Sequence, residues 1–288
     1  MSPANLALIL VSAVVHVVAH VALKRAQDRT AFVWWMLVWG GVLYAPVLFI
    51  THPVIALSVW SIMAISAAFE ALYFVAIARA YRLGDLSLVY PLARGTAPLF
   101  LLLWSTLFLS DHLTPAGVGG IALIAAGLYV INLPRLGAWL GPVRALAQPA
   151  PQAALAAGLF ISLYTFVDRT GVQYLDPLLY TYLVIVLTLL LMTPLALSRV
   201  GWHGLRQELA SSRLGSALAG FTTLAAYAIV LYTIRAGTPA SYAGAVREIS
   251  VVFGALIGIV FLHETGSRVR VIGAVCVVVG VALIALFA

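Results

Sequence analysis

The sequence predicts an all-helical integral membrane protein with ten transmembrane helices arranged as two inverted five-helix repeats, and three observations carry this prediction. First, 64% of the 288 residues are hydrophobic, only 9% are charged, and the mean hydropathy is +1.09. Second, apolar segments of about 20 residues recur along the chain, which is the length needed to cross about 30 Å of hydrocarbon. Third, the second half of the chain repeats the first. The short alternating segments of a transmembrane barrel are missing, so the predicted bundle is helical.

Ten apolar segments are separated by short connections that contain proline, glycine or charged residues. The predicted spans are residues 4–23, 33–50, 57–79, 86–109, 115–132, 152–171, 177–197, 214–234, 239–262 and 268–287. The first segment lacks the basic region and cleavage site of a signal peptide, so we expect it to be retained as a span. In the long loop before the eighth span, residues 202–209 could form a short interfacial helix.

The repeat needs no gap, because moving along the chain by 153 positions takes Arg94 to Arg247 and brings a whole series of residues into register. The other matched pairs are Arg82/Arg235, Gly84/Gly237, Phe108/Phe261, Asp111/Glu264, Gly120/Gly273 and Gly127/Gly280. We divide the chain into a first repeat (1–133), a proline-rich linker (134–151) and a second repeat (152–288). Since each repeat has an odd number of spans, the second must be inserted upside down. Inverted repeats are typical of secondary transporters, whose sites lie at the repeat interface.

The distribution of positive charge predicts the orientation. Twelve of the sixteen Lys and Arg residues fall in the odd-numbered connections, while the even-numbered ones contain only Arg169 and Arg235. By the positive-inside rule, the odd connections and the linker are cytoplasmic and both termini are outside. We expect a multi-pass protein of the bacterial inner membrane. The net charge of +7 does not indicate nucleic-acid binding, because the basic residues are scattered and never form a run of five.

Two arginines lie inside otherwise apolar spans, where an ionisable residue is a functional candidate. Arg94 is about 12 Å along the fourth span at 1.5 Å per residue, and Arg247 is equally deep from the opposite face. Two guanidinium groups near the midplane could bind a carboxylate, phosphate or phosphonate. Alternatively, each arginine pairs with an internal acid, Glu70 or Glu248, and ties helices together. Adjacent residues on a helix do not face each other, so we expect Glu248 to face another helix.

Glu70 is the best single candidate for ion coupling. Burial disfavours the charged form of a carboxylate, so such a group can bind a proton and exchange it for a cationic substrate. Tyr73 and Phe74 share its helical face and could stack an amine or an aromatic group. The alternative is a salt bridge from Glu70 to Arg94 or Arg247.

Further polar and hinge residues complete the predicted site. His16 and His20 share a face with Lys24, but the third ligand and the glutamate of an HExxH motif are missing, so we predict no metal site. We instead predict that the two histidines belong to a polar stripe that faces the cavity and binds substrate, or that they are packing residues. Tyr90 and Tyr164 are further substrate-binding candidates. Asp168, four residues after Tyr164, joins Glu70 and Glu248 as a coupling candidate. Proline bends a helix and glycine permits close contact, so the candidate gating residues are Pro91, Gly95, Pro98 and Gly244.

Several strings resemble the drug/metabolite transporter superfamily, specifically its ten-helix EamA-type members. They are HVVAHVALKRAQD, ARAYRLGDLSLVYPLARGTAPLF, SDHLTPAGVGGIALIAAGLYVI and, in the second repeat, IRAGTPASYAGAVREISVVFGALIGIVFLHETGSRVRVIGAVCVVVGVALI. The resemblance covers essentially the whole chain and implies inverted repeats and secondary transport of a small metabolite or drug, often export. Ala19 and His20 stand where many relatives have a tryptophan and an asparagine. Ten-helix relatives are usually drawn with cytoplasmic termini, opposite to the orientation that the basic residues predict.

We therefore expect a secondary active transporter that works by alternating access on an amino acid or another small zwitterion or anion, with protons as the candidate coupling ion. Multidrug or amine efflux and lipid-linked sugar flipping are alternatives. An intramembrane enzyme is disfavoured, since no nucleophile motif such as GxSxG and no complete metal site is visible. We expect no cofactor, and the oligomeric state stays open between monomer and homodimer.

Overall fold

The computed structural model describes residues 1–24, 26–51, 54–83, 86–108, 113–131, 133, 139, 146–253 and 268–287. These residues contain eleven helices with described bounds, a further helical stretch at residues 250–253, and no strand. The helices are α1 (Pro3–Lys24), α2 (Arg29–Leu43), α3 (Pro46–Thr51), α4 (Leu57–Leu83), α5 (Leu86–Phe108), α6 (Pro115–Ile131), α7 (Pro149–Gly171), α8 (Pro177–Arg199), α9 (Gly201–Arg235), α10 (Ala240–Arg247) and α11 (Arg268–Phe287). Because α2 and α3 together occupy the second predicted span, the eleven helices correspond to the ten predicted spans, of which the ninth is described only as far as residue 253. Gly84, Asp111 and Glu264 lie outside the described residues.

Helix starts follow ordinary capping chemistry. The Asp28 carboxylate accepts hydrogen bonds from the amides of Thr30 (2.8 Å) and Ala31 (2.9 Å) at the start of α2. At the start of α8, Asp176 accepts from the amide of Leu178 (2.9 Å), with Pro177 in the first turn. Both caps satisfy amides that have no partner inside the helix, and proline at this position has no amide to satisfy. The caps place the helix starts at the loop residues that separate the apolar segments.

The helices have the length and surface of a membrane protein. Six helical stretches are long and apolar enough to span a bilayer: α2 with α3, α4, α7, α8, α9 and α11. Large apolar side chains also lie on the outside of the bundle, such as Phe49 (74% exposed), Leu214 (73%) and Leu107 (62%). An extensive apolar surface of this kind is stable against lipid and not against water. The chain is an integral membrane protein.

The crossing of α6 and α11 confirms that the repeats are inverted. A Cβ atom on Gly120 would lie 2.7 Å from the carbonyl oxygen of Gly280, and one on Gly127 would lie 2.6 Å from that of Gly273. The repeat aligns Gly120 with Gly273 and Gly127 with Gly280, so a twofold rotation exchanges the two contacts. Because the earlier glycine of each helix meets the later glycine of the other, the helices are antiparallel. Small residues allow this close approach of backbones.

The two repeats are interlocked. The third helix of each repeat packs against the first helix of the other, since α4 packs against α7 and α9 packs against α1. Between these pairs, α5 packs against α10, its counterpart in the other repeat. The helices that surround the interface between the repeats are therefore drawn from both halves of the chain.

Residues 202–209 are helical, as predicted, although this helix is continuous with the eighth span in α9. The backbone leaves helical geometry at Ser212 (φ −133°, ψ 25°), and α9 continues beyond this kink. The Ser212 hydroxyl donates to the carbonyl oxygen of Glu208 (2.8 Å) and also contacts its carboxylate (2.7 Å). A serine that bonds back to the preceding turn commonly bends a helix. Glu208 also accepts the amide of Asp28 (2.8 Å), which fixes the bend against the first connection.

Candidate functional site

The ninth span is interrupted at the predicted site, although the sequence predicted a continuous helix over 239–262. Helix α10 ends at Arg247, residues 248 and 249 form a turn, and helix resumes at residues 250–253. The amides of Glu248 and Ile249 bond to carbonyl oxygens three residues back, each at 3.1 Å, which is the tighter 3₁₀ pattern. The β-branched residues that follow, Ile249 and Val251 among them, have modest helix propensity. Broken helices of this kind form the binding sites of many transporters.

Arg94 and Glu248 form an ion pair between the repeats. The Arg94 Nε atom lies 3.1 Å from the Glu248 Oε2 atom, and the two side chains are only 6% and 3% exposed. Glu248 therefore faces α5 and not its neighbour Arg247, as expected. This pair ties α5 to the break after α10. It corresponds to the alternative in which Arg94 pairs with an internal acid and holds helices together.

Arg247, the repeat counterpart of Arg94, has different surroundings. Its side chain is buried, with the residue 7% exposed, and within the described part of the chain it forms no ion pair. The guanidinium carbon lies 5.6 Å from the centre of the Tyr227 ring, a cation–π contact. Its Nε atom has no hydrogen-bond partner among the described residues. Leaving a buried charge without a hydrogen-bonded partner is costly, so Arg247 is suited to an anionic ligand.

Asp168 on α7 is the centre of a hydroxyl network that joins four helices. It is completely buried and accepts hydrogen bonds from Ser66 on α4, Tyr180 on α8 (2.8 Å) and Tyr227 on α9. Three hydroxyl donors can all serve an ionised carboxylate, which only accepts. Tyr227 thus contacts a buried acid through its hydroxyl group and Arg247 through its ring.

Three tyrosines form a continuous wall beside these charges. Tyr73 meets Tyr164 edge to face at 6.2 Å between ring centres, and Tyr164 meets Tyr227 in the same way at 5.8 Å. Phe74 packs against Tyr73 at 4.9 Å. The structure therefore brings the predicted residues Tyr73 and Tyr164 together and adds Tyr227. We call Tyr73, Tyr164 and Tyr227 the tyrosine wall.

Glu70 is half-buried on α4 and accepts a hydrogen bond from the hydroxyl group of Thr188 on α8 (2.7 Å). In the described residues it makes no ion pair with Arg94 or Arg247, so the predicted salt-bridge alternative is not observed. Of the three candidate coupling acids, Glu248 is thus held by an arginine and Asp168 by three hydroxyl groups. Glu70 has one hydroxyl donor and partial exposure.

A small cavity of about 20 Å³ lies between the repeats, with Arg247 and Glu248 in its wall. The other lining residues include Pro98, Leu101, Ser162, Thr165 and Gly244. That volume suffices for about one water molecule. Pro98 and Gly244, two of the candidate gating residues, line the cavity, and a Cβ atom on Gly244 would lie 3.0 Å from the Leu101 side chain. Gly95 instead faces α6, where its Cβ atom would be 3.5 Å from Leu128.

The described part of the structure does not place the remaining candidate residues beside the charged groups and the tyrosine wall. His16 is half-buried on α1. No group of three or more potential metal ligands occurs among the described residues. The side chains of His20, Tyr90 and Pro91 fall outside that part of the structure. Their predicted roles therefore stay predictions.

Sequence reasoning missed Tyr227, Ser66, Tyr180 and Thr188. Two of these four residues could have been found from their position in the sequence. Moving Phe74 forward by 153 positions reaches Tyr227, and Ser66 precedes Glu70 by four residues on the same helical face. Tyr180 and Thr188 have no such relation to a predicted residue, because only the folding of the bundle brings the hydroxyl groups of α8 to Asp168 and Glu70.

The fold and the buried charges at its centre are those expected of a membrane transporter built from two inverted repeats. The chain belongs to the EamA-like transporter family, which matches residues 4–133 and 149–286. No curated protein matches the sequence. Among solved structures, one crystal structure is similar over 100% of this chain and 98% of its own, with a TM-score of 0.74 and 19% sequence identity. At that identity the similarity supports the fold alone.

Proposed function

We propose that this protein is a secondary active transporter of the bacterial inner membrane that exports an amino acid or another small zwitterion or anion. The observation that carries the proposal is Arg247, a buried guanidinium group with no ion pair among the described residues, in the wall of a cavity between the two repeats. A planar guanidinium group binds a carboxylate through two parallel hydrogen bonds.

The two arginines have separate roles in this proposal. Arg247 binds the anionic group of the substrate, while Arg94 holds Glu248 and keeps the repeats in register around the site. The tyrosine wall positions the substrate beside Arg247. Its amine, where it has one, would be bound by a carboxylate, and Glu70 is the preferred candidate because it is partly exposed and has a single hydroxyl donor.

Alternating access is supported by the size of the cavity and by the break in the ninth span. A space of about 20 Å³ is too small for an amino acid, so the helices must move before a substrate can enter. The 3₁₀ turn after Arg247 lies at the point where α10 could pivot, because mid-helix 3₁₀ segments often mark functional hinges. Any such movement also changes the surroundings of Arg247 and Glu248.

Proton coupling is assigned to Glu70. A proton on this carboxyl group would compete with the amine of the substrate, so that binding of one releases the other. Asp168 influences the same site through Tyr227, which contacts Arg247. The Glu70→Gln variant is expected to stay folded and lose proton-driven exchange in proteoliposomes. Undiminished transport would remove Glu70 from the mechanism.

The first test is ligand-induced thermal stabilisation of the purified protein by a panel of amino acids, phosphonates, amines and dyes. We expect a zwitterion or anion to stabilise the wild type and to lose its effect in Arg247→Gln. Arg213→Gln is the control, because Arg213 is exposed on α9 and does not line the cavity. Stabilisation by cations or lipids alone would contradict the arginine-centred site and favour drug efflux or lipid-linked sugar flipping.

The domain division and the orientation belong to the same proposal. The repeats comprise residues 1–133 and 152–288, joined by a linker at 134–151 that faces the cytoplasm with the other odd-numbered connections. The distribution of Lys and Arg supports this arrangement.

A further inference from the structure

A second cavity, of about 50 Å³, lies away from the arginine-centred site in a groove between α1, α2, α4 and α8. Its wall is largely apolar, and includes Val33, Phe74, Val75, Ala78, Met192 and Leu195. The residues from α4 and α8 follow helical spacing, so each helix presents one face to the groove. We call this cavity the α4–α8 groove.

Two arginines lie at one end of the α4–α8 groove. Arg29 begins α2 and Arg199 ends α8, and both line the cavity with exposed side chains. Neither forms an ion pair within the described part of the chain. The guanidinium carbon of Arg29 lies 5.6 Å from the centre of the Tyr81 ring, a contact that orients this side chain. The groove thus combines an apolar interior with two positive charges at its end.

The arrangement matches the shape and charge of a membrane lipid. The two arginines lie at helix ends, where the bilayer interface and its phosphate groups are expected, and the apolar residues extend from there into the hydrocarbon depth. Both belong to odd-numbered connections, which the charge distribution assigns to the cytoplasm. Basic pockets between helices on that side are suited to anionic lipid headgroups.

We propose that the α4–α8 groove is a binding site for a phospholipid with a net negative headgroup. Arg29 and Arg199 bind the phosphate group. The enclosed space of about 50 Å³ takes only a short part of one acyl chain beside Phe74, Ala78 and Met192, and the rest of the lipid lies in the surrounding bilayer. A small soluble anion would make no use of the apolar wall, and a neutral lipid would make little use of two neighbouring arginines. The groove shares no lining residue with the cavity around Arg247, although Phe74 also packs against Tyr73 of the tyrosine wall.

The test uses the full-length purified protein in a neutral detergent, with phosphatidylglycerol and phosphatidylcholine of identical acyl chains as probes and native mass spectrometry to count bound lipids. We expect tighter binding of phosphatidylglycerol. Each of Arg29→Gln and Arg199→Gln should weaken it about 5-fold, and the double variant about 30-fold, as expected for about 1 kcal/mol per basic residue near an anionic headgroup.

Arg206→Gln is the matched control. Arg206 also stacks on an aromatic ring, with its guanidinium carbon 5.4 Å from the centre of the Trp202 ring, but it does not line the groove. We expect this variant to bind phosphatidylglycerol like the wild type. Ala78→Trp, which fills the groove, should weaken both lipids.

Three results would overturn the proposal. The first is a double arginine variant that keeps the full preference for phosphatidylglycerol. The second is an equal loss in Arg206→Gln, which would reveal a general surface-charge effect. The third is binding of soluble glycerol phosphate as tightly as of the lipid, which would make the groove a free-anion site.

Discussion

The glycine contacts between α6 and α11 predict a strong and local sensitivity to a single methyl group. In Gly127→Ala, the new Cβ atom would lie 2.6 Å from the carbonyl oxygen of Gly273, which is about 0.8 Å inside the 3.4 Å at which ordinary contact begins. The obstructing atom belongs to the backbone, so the helices must separate. Overpacking of this kind typically costs about 1–3 kcal/mol of unfolding free energy.

Gly119→Ala is the matched control, because it makes the same change on the same helix. A Cβ atom on Gly119 meets nothing within 4 Å. Alanine is favoured over glycine in a helix by about 1 kcal/mol, and this gain applies to both variants. The difference in stability between Gly127→Ala and Gly119→Ala therefore isolates the steric cost. Gly273→Ala should resemble Gly127→Ala, since its Cβ atom would be 2.6 Å from the carbonyl oxygen of Gly127.

The native sequence offers a probe for this experiment. Cys276 is the sole cysteine of the chain, it is half-buried on α11, and its Cβ atom would lie 2.9 Å from the new methyl group at position 127. A maleimide that fluoresces on reaction with a thiol reports the temperature at which α6 and α11 separate. Circular dichroism of the same samples checks unfolding independently. Equal unfolding temperatures for Gly127→Ala and Gly119→Ala would refute the packing argument.

Three further predictions concern the site and the topology. Arg94→Met removes the ion-pair partner of the buried Glu248 and should cost about 3–5 kcal/mol of unfolding free energy, and adding Glu248→Met should recover most of the loss. An unchanged unfolding temperature would show that the pair contributes nothing. Tyr227→Phe removes one hydrogen-bond donor from the buried Asp168 carboxylate and should lower the free energy of unfolding by about 1–3 kcal/mol. Tyr232→Phe, on the exposed face of α9, should leave thermal unfolding unchanged. Equal effects of the two variants would contradict the hydroxyl network. In a cysteine-free background, Ala147→Cys in the linker should react with impermeant maleimide only from the cytoplasm, and periplasmic labelling would reverse the proposed orientation.

Most of the fold could be predicted from the sequence, because the bilayer imposes strong constraints. A segment that crosses hydrocarbon must be apolar over a known length and must form its hydrogen bonds internally. For this reason α4, α5 and α8 begin at the predicted residues 57, 86 and 177. The inversion of the repeats likewise followed from an odd number of spans. No knowledge of side-chain packing was needed for either conclusion.

The partners of the buried charges were less predictable. The sequence offered Arg94 two acids, Glu70 and Glu248, and the choice depends on how each helix is rotated in the bundle. The network around Asp168 draws on residues from three other helices, which are 12 to 102 positions away in the chain. Local spacing cannot report contacts of that kind. The break after Arg247 is also invisible to hydropathy, because the span as a whole stays apolar although it contains Arg247, Glu248 and Ser250.

The repeat makes the difference between the two arginines informative. Arg94 and Arg247 are equivalent by sequence, and a fully symmetric carrier would give them equivalent partners. Here Glu248, which pairs with Arg94, aligns with Gly95, so the first repeat has no acid at the equivalent position to offer Arg247 in return.

The hydroxyl network is asymmetric as well. Tyr227 aligns with Phe74, and Ser66 aligns with Ala219, so the hydroxyl groups that serve Asp168 from α4 and α9 have apolar counterparts at the repeat-related positions. In the proposed mechanism the symmetric frame exchanges between two conformations. The asymmetric side chains give the two arginines different tasks in that mechanism, because Arg94 joins the repeats and Arg247 binds an anion. Substitution of Arg94 should therefore act first on stability, and substitution of Arg247 first on ligand binding.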